Sequence, residues 1–203
     1  MFEQKDIDEA KKLFLEWDLH RTWHIASAEF VTHVRKKAKD SLSLAVYLLE
    51  KVKNTQELVG NDTITLWIVT TSYYSMFFEV EFLLGLDGRK LPLGTKDTHK
   101  TIYLAFLYYY VIKGSELERK EKREVTTTKI SKALSLFKEL QDETLELQRL
   151  EKSVRDLKVQ REQRHAFTYQ MSKSAEVVEA QRSVAKASEF RQLVEEYIIS
   201  REH

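Results

Sequence analysis

The chain has 203 residues, with 33 Lys or Arg against 32 Asp or Glu and a formal net charge of +1. Zero Cys excludes a disulfide framework, a cysteine zinc site and a thiol nucleophile, and the near-zero charge leaves no global field to draw in nucleic acid, so any RNA contact must come from a local patch. Five Gly and one Pro are roughly a quarter of ordinary usage, too few for the turns of a many-stranded β fold.

The first residues, Met1 to Glu9, carry acids and no apolar export core, which predicts a cytoplasmic protein. Asp6 or Asp8 can cap a first helix that bears Ala10, Leu13, Phe14 and Trp17 at three- and four-residue spacing. This segment, residues 1–24, is expected to be a helical extension packed on a bundle formed by residues 25–203. A second helix runs from about Ser27 to Val52. Its apolar stripe is Phe30, Val34, Ala38, Leu42, Ala45, Leu48 and Leu49, and its outer face holds Arg35, Lys36, Lys37 and Lys39.

Asn61 or Asp62 can cap a third helix that reaches about Leu86 and is apolar nearly all round. Such a helix is long enough to suggest a membrane span, but Glu79 and Glu81 sit inside it, and a charge costs about 2.5–3.5 kcal/mol at the centre of a spanning helix. A buried central helix is the better reading, with the two carboxylates ion-paired or lining a cleft. Gly85 and Asp87-Gly88 stop it, and Pro92 and Gly94 keep the next stretch irregular.

His99 to Val111 reads as a short aromatic-rich helix ending by Gly114. Most of Tyr103, Phe106, Tyr108, Tyr109 and Tyr110 should be core, with one or two tyrosines exposed to stack on bases. Glu116 to Glu124 is charged at every position but Leu117 and reads as a solvated turn. Thr126 to Thr128 can cap a long helix carrying Ile130, Ala133, Leu134, Phe137, Leu140, Leu147, Leu150, Val154 and Leu157, with one break near Gln141-Asp142. Ser174 can cap the last helix, which turns Ala175, Val178, Ala180, Val184, Ala187, Phe190, Leu193, Val194 and Ile198 inward. No segment reads as a strand. The fold class is all-α, an antiparallel bundle of four to five core helices plus the N-terminal one.

The strongest chemical feature is the basic group Lys158, Arg161, Arg164 and His165, with Tyr169 beyond. On a helix, residues 158, 161 and 165 share a face, with 164 beside it. Guanidinium groups bind phosphate oxygens bidentately, and His moves protons near neutral pH. Such a set can hold RNA phosphate, or cleave RNA without metal by stabilising the charge on phosphorus while a base and an acid act on the 2′- and 5′-oxygens. It can equally be an ordinary solvated face. Two metal readings are discarded. Glu162 and His165 form an E-x-x-H pair, but no second pair exists for a di-iron site. His20 and His24 lack a third ligand.

Several of these segments resemble one family. Thr71-Ser72-Tyr73-Tyr74-Ser75-Met76-Phe77, followed after a polar linker by Thr98-His99, is similar to the YYxxF helix and the following K/TH segment of HEPN domains. Arg164-His165-Ala166-Phe167-Thr168-Tyr169 resembles the family's R-x-x-A-x-Y-type stretch, and the last helix, with Ala175, Ala180, Ala185, Ala187, Phe190 and Val194, its closing helix. The resemblance spans roughly residues 25–200. It implies a helical bundle that pairs into a homodimer. Some members are metal-independent ribonucleases with an R-x4-6-H motif at the dimer interface, needing no cofactor. Others bind RNA or nucleotides or regulate, and small prokaryotic members accompany a nucleotidyltransferase in toxin–antitoxin pairs.

This chain departs from the nuclease motif. Arg161 precedes His165 by three intervening residues, and Arg164 has Tyr169, not His, after four. A one-residue offset turns a side chain by about 100° on a helix. The expected function is therefore a binding or regulatory module, with Lys158, Arg161 and Arg164 on phosphate. The alternatives are an endoribonuclease using Arg164, His165 and Tyr169, and a helical adaptor without catalysis.

Overall fold

The computed structural model describes the backbone of residues 3–54, 62–114, 126–158 and 169–201, and the side chains of 3–54, 64–114, 128–146 and 177–201. Six α-helices account for nearly all of it. They are α1 (Gln4–His20), α2 (Ala28–Asn54), α3 (Asp62–Leu86), α4 (Thr98–Phe106), α5 (Thr126–Lys158) and α6 (Tyr169–Arg201), with a π-helical segment, Leu107–Ile112, continuing α4. The all-α bundle is as expected.

α1 starts earlier than the Asp6 or Asp8 cap predicted. Glu3 takes the extended N-cap conformation without a side-chain cap bond. Asp6 instead accepts the Tyr103 hydroxyl at 2.9 Å, and Asp8 accepts from Gln4 at 2.9 Å. The helix ends on Arg21 in the left-handed region (φ 51°), whose N–H bonds the Trp17 carbonyl. Two residues beyond its end, a short antiparallel ladder pairs β1 (His24–Ile25) with β2 (Arg89–Lys90). Strands of two residues are too short to show an alternating pattern, so sequence periodicity misses them.

Ser27 caps α2, its hydroxyl accepting the Phe30 N–H at 3.1 Å. α2 and α3 run antiparallel: Phe30 and Val31 approach Gly85, Arg35 pairs with Glu79, and Ser75 donates to the Ala38 carbonyl at 2.9 Å. A Cβ at Gly85 would lie 3.0 Å from Val31 Cγ2, so glycine lets the two helices close at this end. α3 is the central helix and is buried along most of its length. No helix among the described residues is long and apolar enough to cross a membrane. Trp67, part of the nearly all-apolar α3, nevertheless faces out at 57% exposure.

The predicted break near Gln141-Asp142 does not occur, because both residues are used within a continuous α5. Asp142 pairs with Lys138 one turn back, and Gln141 bonds inward. α5 and α6 form an antiparallel pair, tied by Lys129–Glu196 at 2.5 Å, Lys132–Glu189 at 2.5 Å and Lys186 with Glu139 and Glu143. α6 begins at Tyr169, five residues before the Ser174 cap. Its buried apolar side chains among the described residues are Ala180, Val184, Ala187, Phe190 and Val194, while Val178 faces out at 42% exposure.

The principal core joins all six helices and the π segment around Phe14, Met76, Phe106, Phe137 and Phe190, with Leu42 from α2. A smaller cluster, Ala45, Leu49, Val52, Ile68, Ala180 and Val184, closes the other end. Tyr103, Tyr108, Tyr109 and Tyr110 are all buried, so none is exposed for stacking. Tyr103, Tyr109 and Tyr110 reach carboxylates of neighbouring segments, Asp6, Asp18 and Asp87, which satisfies their hydroxyls without leaving the core.

Candidate functional site

Of the residues expected to hold phosphate or act in catalysis, Lys158 is the last residue of α5 and Tyr169 the first of α6, and their side chains lie outside the described residues. Arg161, Arg164 and His165 also lie outside the described residues, as does Glu116 to Glu124.

The described residues form a different cleft, where α3, α4 and α5 meet. Its wall is Tyr73 and Tyr74 from α3, His99 from the first turn of α4, and Gln141, Thr144 and Leu145 from α5, around a volume of about 160 Å³. The irregular stretch before α4 sets where His99 falls. Thr95 donates to the Pro92 carbonyl at 2.7 Å, Thr98 donates to the Thr95 carbonyl at 3.0 Å, and Asp97 takes a left-handed conformation (φ 48°) just before the helix. The His99 ring then lies 4.9 Å from Phe77, 5.5 Å from Tyr73 and 5.8 Å from Tyr74, centroid to centroid. His99 keeps solvent access, whereas Tyr73 and Gln141 are buried.

Four hydrogen bonds organise this cluster. The Tyr73 hydroxyl is 2.7 Å from His99 Nδ1. Gln141 Nε2 donates to that hydroxyl and to the backbone carbonyl of His99, both at 3.3 Å. Thr144 donates to the Leu140 carbonyl at 2.7 Å. Burial pushes the Tyr73 hydroxyl pKa well up, with Gln141 opposing slightly. Loss of hydration also holds the His99 imidazole below its ordinary pKa, so the ring is neutral at pH 7.

The cleft opens into a shallower basin of about 530 Å³ that shares His99, Gln141 and Leu145 and adds Asp6, Asp97, Lys100, Tyr103, Lys138 and Asp142. Three carboxylates face two ammoniums on this rim. Lys100 is paired with Glu9 and Lys138 with Asp142 at 3.2 Å.

Glu79 is fully buried and belongs to an ion cluster away from the cleft. It pairs with Arg35, with Arg191 3.9 Å from its other oxygen, and Arg35 also binds Glu195 at 2.9 Å. Arg35, read as part of the solvated face of α2, therefore turns inward. Glu81 is half-buried, its pKa raised by burial against the opposing pull of Lys37 and Lys90. Among the described residues no three His, Asp or Glu side chains are grouped to hold a metal ion.

Sequence reasoning missed Gln141. The available signal was its spacing: Phe137, Gln141 and Thr144 continue one inward face of α5 past Leu140, so a polar pair there marks a turn toward other polar groups. Comparison of the chain with protein-family models, curated proteins and solved structures finds no match.

Proposed function

We propose that this protein is a HEPN-type helical module that binds RNA or a nucleotide rather than cutting it. The observation that supports this reading is that Tyr73, Tyr74 and His99, from the two segments that resemble the family, line one cleft. Ring faces and a neutral imidazole beside a polar wall suit a flat ligand with hydrogen-bonding edges. Lys158, Arg161 and Arg164 are assigned to phosphate on their chemistry, and the resemblance adds pairing of two copies, with a nucleotidyltransferase as a candidate partner.

The test is fluorescence anisotropy with labelled single-stranded RNA in EDTA, followed by gel analysis of the same RNA. The expected result is saturable binding, intact RNA, and weaker binding in Arg164→Ala. RNA cleavage that disappears in Arg164→Ala and His165→Ala would replace binding with the ribonuclease reading.

A further inference from the structure

One direction of the hydrogen bonds around Tyr73 gives every contact a donor and an acceptor and also uses the buried Tyr73 proton. A backbone carbonyl can only accept, so the Gln141 amide must turn its nitrogen toward His99. That nitrogen is the same group that faces the Tyr73 hydroxyl, so the hydroxyl accepts from Gln141. Its single proton is then directed to His99 Nδ1, 2.7 Å away. A neutral imidazole that accepts at Nδ1 carries its own proton on Nε2. With Nδ1 turned to a buried hydroxyl, Nε2 is on the far side of an imidazole that lines both the cleft and the basin.

We infer that this cleft holds a nucleobase, packed beside Tyr74 and accepting a hydrogen bond from His99 Nε2–H, with Gln141 and Tyr73 as the positioning residues that set that polarity. The inference rests on the binding reading above and names the part of the ligand that enters. Size favours the base alone, since a cavity of roughly 150 Å³ takes one benzene-sized ring, which leaves the sugar to cross the open basin. The basin offers phosphate little: its two ammoniums are already ion-paired and three carboxylates stand with them. Recognition here is therefore of the base, whether it comes from a free mononucleotide or from an unpaired residue of RNA.

Two measurements test this on the full chain. Long-range proton–nitrogen NMR of the imidazoles reads the tautomer without any ligand. Nδ1 of His99 is expected to be the unprotonated nitrogen and Nε2 the protonated one. Tyr73→Phe should release that preference, and Gln141→Glu should invert it, because a carboxylate there accepts the phenol proton and leaves the phenol oxygen to accept from Nδ1–H. A wild-type ring protonated at Nδ1 overturns the inference.

The second measurement is titration with the four ribonucleosides, their 5′-monophosphates and a short single-stranded RNA. A nucleoside and its monophosphate should bind within about threefold of each other, because both rim ammoniums among the described residues are already ion-paired. Tyr74→Ala and His99→Phe should each weaken both by about tenfold, the effect of losing one stacked ring or one donor. Mononucleotide affinity shows a self-sufficient site; affinity for RNA alone, still lost in Tyr74→Ala, shows a base presented by a strand. RNA binding unchanged in both variants overturns the nucleobase site and leaves the general reading standing. No binding of any probe overturns both.

Discussion

Arg35 and Glu79 show how one pair of side chains can carry both specificity and cost. Glu79 has no solvent access, and its pKa is raised because burial outweighs the pull of Arg35 and Arg191. A carboxyl with a raised folded-state pKa binds its proton more readily when folded. Its contribution is full below the unfolded value and is lost as pH rises through the folded one. Removing the guanidinium in Arg35→Ala should cost about 3 kcal/mol at pH 7.5, the lower end for a broken buried pair because Arg191 remains. The cost should be smaller at pH 5 than at pH 7.5, because burial raises the Glu79 pKa and acid favours its neutral form. Glu79→Gln, which removes the buried charge and keeps an acceptor for Arg35, should cost only about 1 kcal/mol. Urea unfolding at the two pH values checks both. A Gln variant as damaged as the Ala variant would mean that the ionised carboxylate is itself stabilising.

At the scale of elements, α1 is held by aromatic packing. Phe14 is fully buried, stacked on Trp23 at 5.7 Å and on Tyr108 at 5.7 Å, with Trp17 edge-on at 5.4 Å. Tyr109 joins the same group, donating to Asp18 at 2.5 Å and accepting from Trp23 Nε1 at 2.9 Å. Tyr108, Tyr109 and Tyr110 of the π segment are all buried, as are Thr101 to Phe106 of α4 before them, so neighbours surround this stretch on every side. Phe14→Ala should cost about 3–5 kcal/mol by leaving a ring-sized cavity, and should red-shift the emission of Trp17 and Trp23 as water reaches them. Tyr109→Phe should cost about 1–2 kcal/mol, since it strands the Trp23 N–H. An unchanged tryptophan spectrum in Phe14→Ala would mean that α1 docks by other contacts.

Across the whole molecule, a net charge of +1 gives RNA no long-range attraction, so binding should depend on a few local cations. If Lys158, Arg161 and Arg164 carry the phosphate contacts, log affinity should fall against log salt with a slope of about −2, near 0.7 for each neutralised phosphate of a single strand. Anisotropy titrations from low to moderate salt read it. A slope steeper than about −4 would require further basic surface, for which the exposed Lys36, Lys37 and Lys39 of α2 are the place to look.

Periodicity and composition determined the helical class, the order of the helices and most inward residues, because burying an apolar stripe every three to four residues is a local requirement that each segment states alone. Val34, Ala38, Phe137 and Phe190 could be placed that way. The partners of polar residues could not be, because they depend on which distant element arrives opposite. Arg35 turns inward only because α3 and α6 bring Glu79 and Glu195 to it. Gln141 stays within an unbroken helix only because Tyr73 and the His99 carbonyl meet it. Tyr109 and Tyr110 remain inside because carboxylates of α1 and of the turn after α3 reach their hydroxyls. Tertiary structure, pairing polar groups far apart in sequence, decided where the cleft lies and which atoms it presents.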